Sequence, residues 1–176
     1  ESAGRRHEGA MTEIGNVAPR LPADPGGYAL MFRLDKPIAV KPGKLGIAEL
    51  SAGQYLYLGS ALSGMRPRLA RHLRRRKKRH WHIDALTLSV RPHEIWWVAT
   101  DTRLECDWTT TALAGAGAST PVPGFGSSDC RCKSHLVHLK TGAVLERVYE
   151  GIVGVNPEVH RLRVPTRLTK RFLNTP

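Results

Sequence analysis

Apolar positions along the chain change period several times, and each change predicts an element. Tyr28-Ala-Leu-Met-Phe-Arg-Leu34 is a short apolar run rich in strand formers, and Gln54-Tyr-Leu-Tyr-Leu-Gly59 alternates, so both predict strands. Between them Pro37, Pro42, Gly43, Gly46 and Gly53 mark a turn-rich excursion with room for one short strand. The two runs are therefore expected to pair as an antiparallel hairpin with a long connection. At Leu62, Met65, Leu69 and Leu73 the spacing lengthens to three or four residues, predicting an amphipathic helix capped by Ser63, with Pro67 tolerated in its first turn. A second short helix is expected over Ile83 to Leu88, ended by Pro92. Glu94-Ile-Trp-Trp-Val-Ala99 reads as a third strand, and Leu104, Trp108 and Ala112 space a third helix. After a Gly/Pro/Ala/Ser loop from Gly115 to Gly126 comes a last short strand, Leu136-Val-His-Leu139, and then a possible helix at Val144–Ile152.

The order β, β, α, β, α predicts a compact α/β layer sandwich whose small, mostly antiparallel sheet of about three strands is flanked by helices. Residues 1–25 lack a sustained period and are expected to form a flexible N-terminal tail, with Met11 a candidate start of the protein. Residues 26–140 carry the domain, and 141–176 read as a basic C-terminal extension.

Composition narrows the class. With 41% hydrophobic and 24% charged residues the chain can close one modest core, which excludes collagen, a coiled coil and a wholly disordered chain. No run approaches the roughly 18 apolar residues that span a bilayer. Glu1-Ser-Ala-Gly-Arg-Arg-His7 has no apolar leader, and three cysteines are too few for a disulfide framework, so a reducing cytoplasm is the expected compartment.

Charge changes the picture most. Lys+Arg 27 against Asp+Glu 15 gives +12, the balance of a protein with a polyanionic partner. Nine of those cations, Arg66, Arg68, Arg71, Arg74, Arg75, Arg76, Lys77, Lys78 and Arg79, fall between 66 and 79 with no acid among them. A phosphate backbone supplies the anionic counterpart to such a run, whereas its apolar stripe is too narrow for a membrane surface. Within it Arg68 and His72, at i and i+4, share a helical face and can address one phosphate.

Other side chains have two readings each. Tyr28 and Tyr57 are strand aromatics or phenols delivered to one pocket. Thr102-x-x-Glu105 fits a capping box, which competes with a ligand role for Glu105. Cys130-Arg-Cys132 followed by His135 and His138 suggests zinc, but the C-x-C step is tighter than the usual knuckle. His80, His82 and Asp84 look like a ligand set, although packing or phosphate contact is the expected use. Asp129 and Ser134 sit where they could edge a cleft.

Gly26-Gly27-Tyr28 opens the first strand, and Tyr57-Leu-Gly-Ser-Ala-Leu62 closes the second. His80-Trp-His-Ile-Asp84 and Pro123-Gly-Phe-Gly-Ser-Ser-Asp-Cys-Arg-Cys132 follow in order. In these motifs the sequence resembles the GIY-YIG nuclease superfamily, and most of all its Uri-type branch, over residues 26–140. The resemblance implies a metal-dependent DNA endonuclease that hydrolyses a phosphodiester with an activated water, with RNA left open as a substrate. It implies Tyr28 or Tyr57 as general base, Arg68 against the phosphate charge, and His72 assisting the tyrosine or the leaving group. Glu105 is the matched ligand for Mg2+ or Mn2+. The basic run, Arg66, Arg71, Arg74, Arg75, Arg76, Lys77, Lys78 and Arg79, is the expected nucleic-acid contact. The alternatives are a non-catalytic nucleic-acid-binding module on the same fold and a basic RNA-associated protein.

Overall fold

A computed structural model describes residues 20–173. At its centre strand β1 (Gly26–Leu34) pairs antiparallel with β4 (Gly53–Ala61) on one side and β5 (Glu94–Ala99) on the other. Flanked on both edges and covered on both faces, β1 buries every side chain but one. That double burial is why its sequence is an unbroken apolar run and not an alternating one. Further out, β7 (Leu136–Leu139) joins β4 and carries the short β6 (Ala118–Ser119), while β8 (His160–Arg163) joins β5. The order is β6-β7-β4-β1-β5-β8, and every pairing is antiparallel.

The pleat of β1 divides the core in two. Tyr28, Leu30 and Phe32 point to the face covered by α1 (Met65–Leu73) and α2 (His82–Thr87), with Phe172 of the short α5 (Lys170–Leu173) packed into the same cluster. Ala29 and Met31 point the other way, with Leu56, Leu58 and Trp96, beneath α3 (Glu105–Leu113) and α4 (Gly142–Val155). The α/β class, the antiparallel sheet and the flanking helices agree with the sequence reading. None of the described helices is long and apolar enough to cross a membrane.

Several expectations are corrected. The main sheet has six strands and not about three. The excursion after β1 folds into a separate two-stranded ribbon of β2 (Ile38–Val40) and β3 (Ala48–Leu50), where the sequence suggests one strand at most. Leu62 is not part of α1 but a half-exposed residue in the turn before it, and Ser63 is not its cap: Gly64 holds that position without a side-chain bond. The helix also stops at Leu73, so Arg74–Arg79 is a loop and not a continuation of the basic helix. Lys77 explains the stop: its Nζ donates to the carbonyls of Arg71 and His72 at 3.0 and 2.9 Å, satisfying acceptors that another helical turn would have used.

Of the expected N-terminal tail, residues 1–19 lie outside the described residues, but 20–25 are tied down. Leu21 is fully buried and its N–H donates to Phe172, and the carbonyls of Asp24 and Pro25 accept from Met65 and Thr100. The stretch after 140 is likewise not an appendage. It supplies α4 to one layer and β8 to the sheet, pinned by Arg161, whose guanidinium donates to Glu94 at 2.7 Å and to both Glu146 carboxylate oxygens.

Candidate functional site

The hairpin geometry delivers both tyrosines to one place. Tyr28 faces Gly59 in the β1–β4 ladder and Tyr57 faces Leu30, so the two phenols leave the same sheet face on neighbouring strands. They line a cleft of about 470 Å³ together with Arg68 and His72 from α1 and Glu105 from α3. All five residues expected to do chemistry therefore meet in one cavity.

Two glycines make room for the rings. A Cβ on Gly59 would stand 2.5 Å from Tyr28 Cζ and 2.6 Å from its hydroxyl, so the Tyr28 ring lies directly across that backbone. Gly126, at φ +72°, would place a Cβ 2.9 Å from the Tyr57 ring, which makes it doubly required. The Tyr57-Leu-Gly59 string is thus a steric arrangement, with a phenol at one end and clearance for the other phenol at the opposite end.

Tyr28, His72, Arg68 and Glu105 are each held by a neighbouring side chain. The Tyr28 hydroxyl and His72 Nε2 are 2.8 Å apart, and both residues are almost fully buried. Burial pushes the Tyr28 phenol well up, reinforced by Tyr57, while the Arg68 guanidinium draws it down. Tyr57 is raised in the same way, by burial, and lowered by the same arginine. Burial, aided by Lys77 and Arg68, lowers His72 to about 3, so its ring is neutral at ordinary pH, and its Nδ1 has no hydrogen-bond partner among the described residues. Arg68 itself lies with Cζ 4.4 Å from the Trp81 ring centre, a cation–π contact that steadies its planar fork.

Glu105 is the first residue of α3, and its carboxylate accepts a hydrogen bond from the Ser60 hydroxyl at the end of β4. Ser60 Oγ in turn accepts from the Leu104 N–H at 3.0 Å. The capping-box reading is therefore corrected: Leu104 is the N-cap, without a side-chain cap bond, and Glu105 points across to the neighbouring strand. Ser60, a residue to which sequence reasoning gives no role, fixes this carboxylate. Asp129 lines the cleft mouth, where Arg103 bridges it at 3.3 Å, whereas Ser134 is buried and spends its hydroxyl on the backbone of Phe125 and Leu136.

The basic run divides by geometry. Arg71 donates to both oxygens of the fully buried Asp84 at 2.7 and 2.9 Å, and that carboxylate also accepts from the His80 and Trp81 N–H groups. Burial alone would raise Asp84, but the Arg71 fork and these two N–H groups outweigh it and leave it below its usual value. Lys77 is committed to the α1 carbonyls and Thr87, and Arg66 Nε donates to the Leu21 carbonyl. Arg71 and Lys77, expected as nucleic-acid contacts, are engaged in internal ties: Asp84, just beyond the 66–79 run, supplies an anion that the run itself lacks. Arg74, Arg75, Arg76, Lys78 and Arg79 remain at the surface, with Lys77 turned inward among them. Asp84 serves as an ion-pair partner, and His82 Nδ1 accepts from the Gly126 N–H at 3.0 Å.

A second cavity of about 630 Å³ adjoins the cleft, sharing His80, Trp81, His82 and Ser128 with it and adding Arg79, Lys41 and Lys44. Sequence reasoning gives no role to Lys41 and Lys44, and the visible signal is a pair of cations in a Pro-Gly turn. Cys106, Cys130, Cys132 and His135 converge at the cleft wall, where His135 itself lines the cavity. His138 does not join them but packs its ring against Tyr55.

The chain matches the family described as "Domain of unknown function DUF123" over residues 27–155. Comparison with curated proteins and with solved structures gives no match.

Proposed function

The chain belongs to the DUF123 family, and we propose that its cleft is that of a metal-dependent DNA endonuclease of GIY-YIG type, hydrolysing a phosphodiester with an activated water. One observation carries this reading: two phenols, a guanidinium and a carboxylate from four different elements line a single cleft that adjoins an exposed cationic loop. Phosphodiester hydrolysis calls for that combination. It needs a proton acceptor for water, fixed positive charge on the phosphorane-like transition state, and stabilisation of the leaving oxygen.

The donor set suits a hard divalent cation. Glu105 offers a carboxylate that is held by Ser60 and still reaches the cavity, and one carboxylate with water and phosphate oxygens is an ordinary environment for Mg2+ or Mn2+. When bound there, such an ion supplies Lewis acidity to the phosphate oxygens and to the departing alkoxide. The protein's own residues do the rest. Arg68, braced on Trp81, offers its fork to two phosphate oxygens. Tyr28 or Tyr57 acts as the base in its ionised form: having first lost its own proton to solvent, the phenolate takes the proton of the attacking water and returns to the phenol, and Arg68 favours that phenolate by opposing the effect of burial. His72 holds the Tyr28 hydroxyl through Nε2 and so orients that phenol in the cleft.

A binding module without turnover is the second reading. It draws on one observation, that burial raises both phenols and so works against their acting as bases. A nicking assay separates the two, using supercoiled and linear DNA beside RNA, with and without Mg2+ or Mn2+. The nuclease reading expects metal-dependent cleavage that falls at least a hundredfold in Arg68→Ala, about 3 kcal/mol for one transition-state contact. Binding without cleavage at any metal concentration would establish the module.

A further inference from the structure

The cysteine–histidine cluster at the cleft wall has no part in the chemistry above. Cys106 comes from α3, Cys130 and Cys132 from the irregular segment 120–135, and His135 from the residue before β7. Their ligand atoms all lie within 4.8 Å of one another. Cys130 Sγ is 3.4 Å from His135 Nε2, and Cys106 Sγ is 3.8 Å from the same nitrogen. Around a tetrahedral zinc, bonds of about 2.3 Å to sulfur and about 2.1 Å to nitrogen set S···N edges of about 3.6 Å. The two observed separations bracket that edge.

Hydrogen bonding does not account for the convergence. An imidazole Nε2 has one in-plane lone pair or one N–H, so it can pair with one thiol, yet two sulfurs lie within 3.8 Å of it and a third joins the same cluster. Disulfides do not account for it either, since all three cysteines are free. A cation at the centre accounts for it, since zinc takes cysteines as thiolates and releases one proton per thiol on binding.

We propose that Cys106, Cys130, Cys132 and His135 form a closed, structural zinc site. Three soft sulfurs and one imidazole suit zinc and not the hard cation assigned to Glu105, and four protein ligands leave no open position for catalysis. The site staples a stretch that otherwise has little regular structure. Residues 120–135 contain no helix or strand and carry Gly126, which bounds Tyr57, and Asp129, which borders the cleft. Cys106 is the neighbour of Glu105 on α3. Zinc would therefore bind the loop wall and the carboxylate-bearing helix to each other. The inference rests on the geometry of these four residues and stands apart from the nuclease reading.

The test uses the full chain, freshly reduced and purified without an affinity tag that binds metal. Elemental analysis should find one zinc per chain, and Co2+ exchanged into the protein should give the intense visible bands of a tetrahedral thiolate site. The three thiols should resist alkylation until a strong chelator is added, and the chelator should lower the melting temperature. Cys132→Ser should reduce zinc to a small fraction of an equivalent, whereas Glu105→Gln should leave the zinc content unchanged. If the serine variant fails to fold, thiol protection and Co2+ spectra of the unaltered chain decide alone. A chain that binds no zinc, gives only the weak spectrum of hydrated Co2+, and is alkylated at the same rate with and without chelator would overturn the assignment.

Discussion

His72 Nε2 lies 2.8 Å from the Tyr28 hydroxyl, a buried contact that joins α1 to β1 and fixes the position of one cleft phenol. The same burial that makes the contact well defined holds the imidazole neutral, at a value of about 3 against an ordinary 6.5. The unfolded chain takes up a proton at this histidine below pH 6.5 while the folded chain does not, so the stability it contributes is complete above 6.5 and is lost as pH falls toward 3. Between pH 7 and pH 5 the loss amounts to about 2 kcal/mol. Denaturant melts of the wild type and His72→Gln at the two pH values should show that difference disappearing in the variant, whatever offset the substitution adds at both. Parallel pH profiles would mean that His72 is not held neutral.

The Tyr28 ring crossing Gly59 makes a second, steric prediction. A methyl at Gly59 would stand 2.5 Å from Tyr28 Cζ, and the ring cannot retreat without breaking its bond to His72. Gly59→Ala should cost about 1–3 kcal/mol in a thermal melt, as over-packing does, and should reduce cleavage beyond what the stability loss explains. Gly115→Ala is the control, because nothing lies within 4 Å of a Cβ there, and it should stay within about 0.5 kcal/mol of wild type. Equal effects of the two substitutions would remove the steric argument.

How much of the fold and the cleft is legible in the sequence depends on whether the cause is local. β1, β4 and β5 are apolar runs, and the phenol and arginine positions follow once those runs pair. β8 is hidden because an edge strand reading His-Arg-Leu-Arg is largely exposed and has no apolar period, and its anchor, the Arg161 contact to Glu94 and Glu146, spans three elements. The end of α1 is hidden for a similar reason. A helix that continues and one that Lys77 terminates by reaching back to two carbonyls have the same local composition. Asp84 lies 13 residues from Arg71, so the charge run taken by itself shows no partner for it. Cys106 is the hardest to place. Nothing in its spacing points to Cys130; only the shared scarcity of cysteine, three in the chain, links them in sequence.

The division of the basic run can be measured. Changing Arg74, Arg75, Arg76 and Arg79 together to Gln should leave the melt unchanged, because these side chains lie at the surface, and should weaken binding to all DNA sequences alike. The slope of log affinity against log salt should flatten by about 0.9 for each phosphate that the variant no longer neutralises. Arg71→Ala should do the reverse. It leaves a fully buried carboxylate without its fork, so stability should fall by about 3–5 kcal/mol with little change in salt slope for the protein that remains folded. An unchanged slope in the quadruple variant would show that the loop faces away from nucleic acid.

Glu105 decides whether the cleft has a cation site. Its carboxylate accepts from Ser60, and an amide oxygen can accept the same bond, so Glu105→Gln keeps the tie between β4 and α3. What the substitution removes is the negative charge. Losing an acid from the first turn of α3 costs about 0.3–1 kcal/mol against the helix dipole, which sets the largest change expected in a melt without added cation. If the charge holds Mg2+ or Mn2+, cleavage should fall by at least a hundredfold at low metal and recover only in part as Mn2+ is raised, since one of the few protein oxygens has been neutralised. If Glu105 serves only to position α3, the rate should follow the wild-type curve across the whole titration. That second result would shift the search for a ligand to Asp129, the other acid at the cleft, with Asp129→Asn in the same titration as the next measurement.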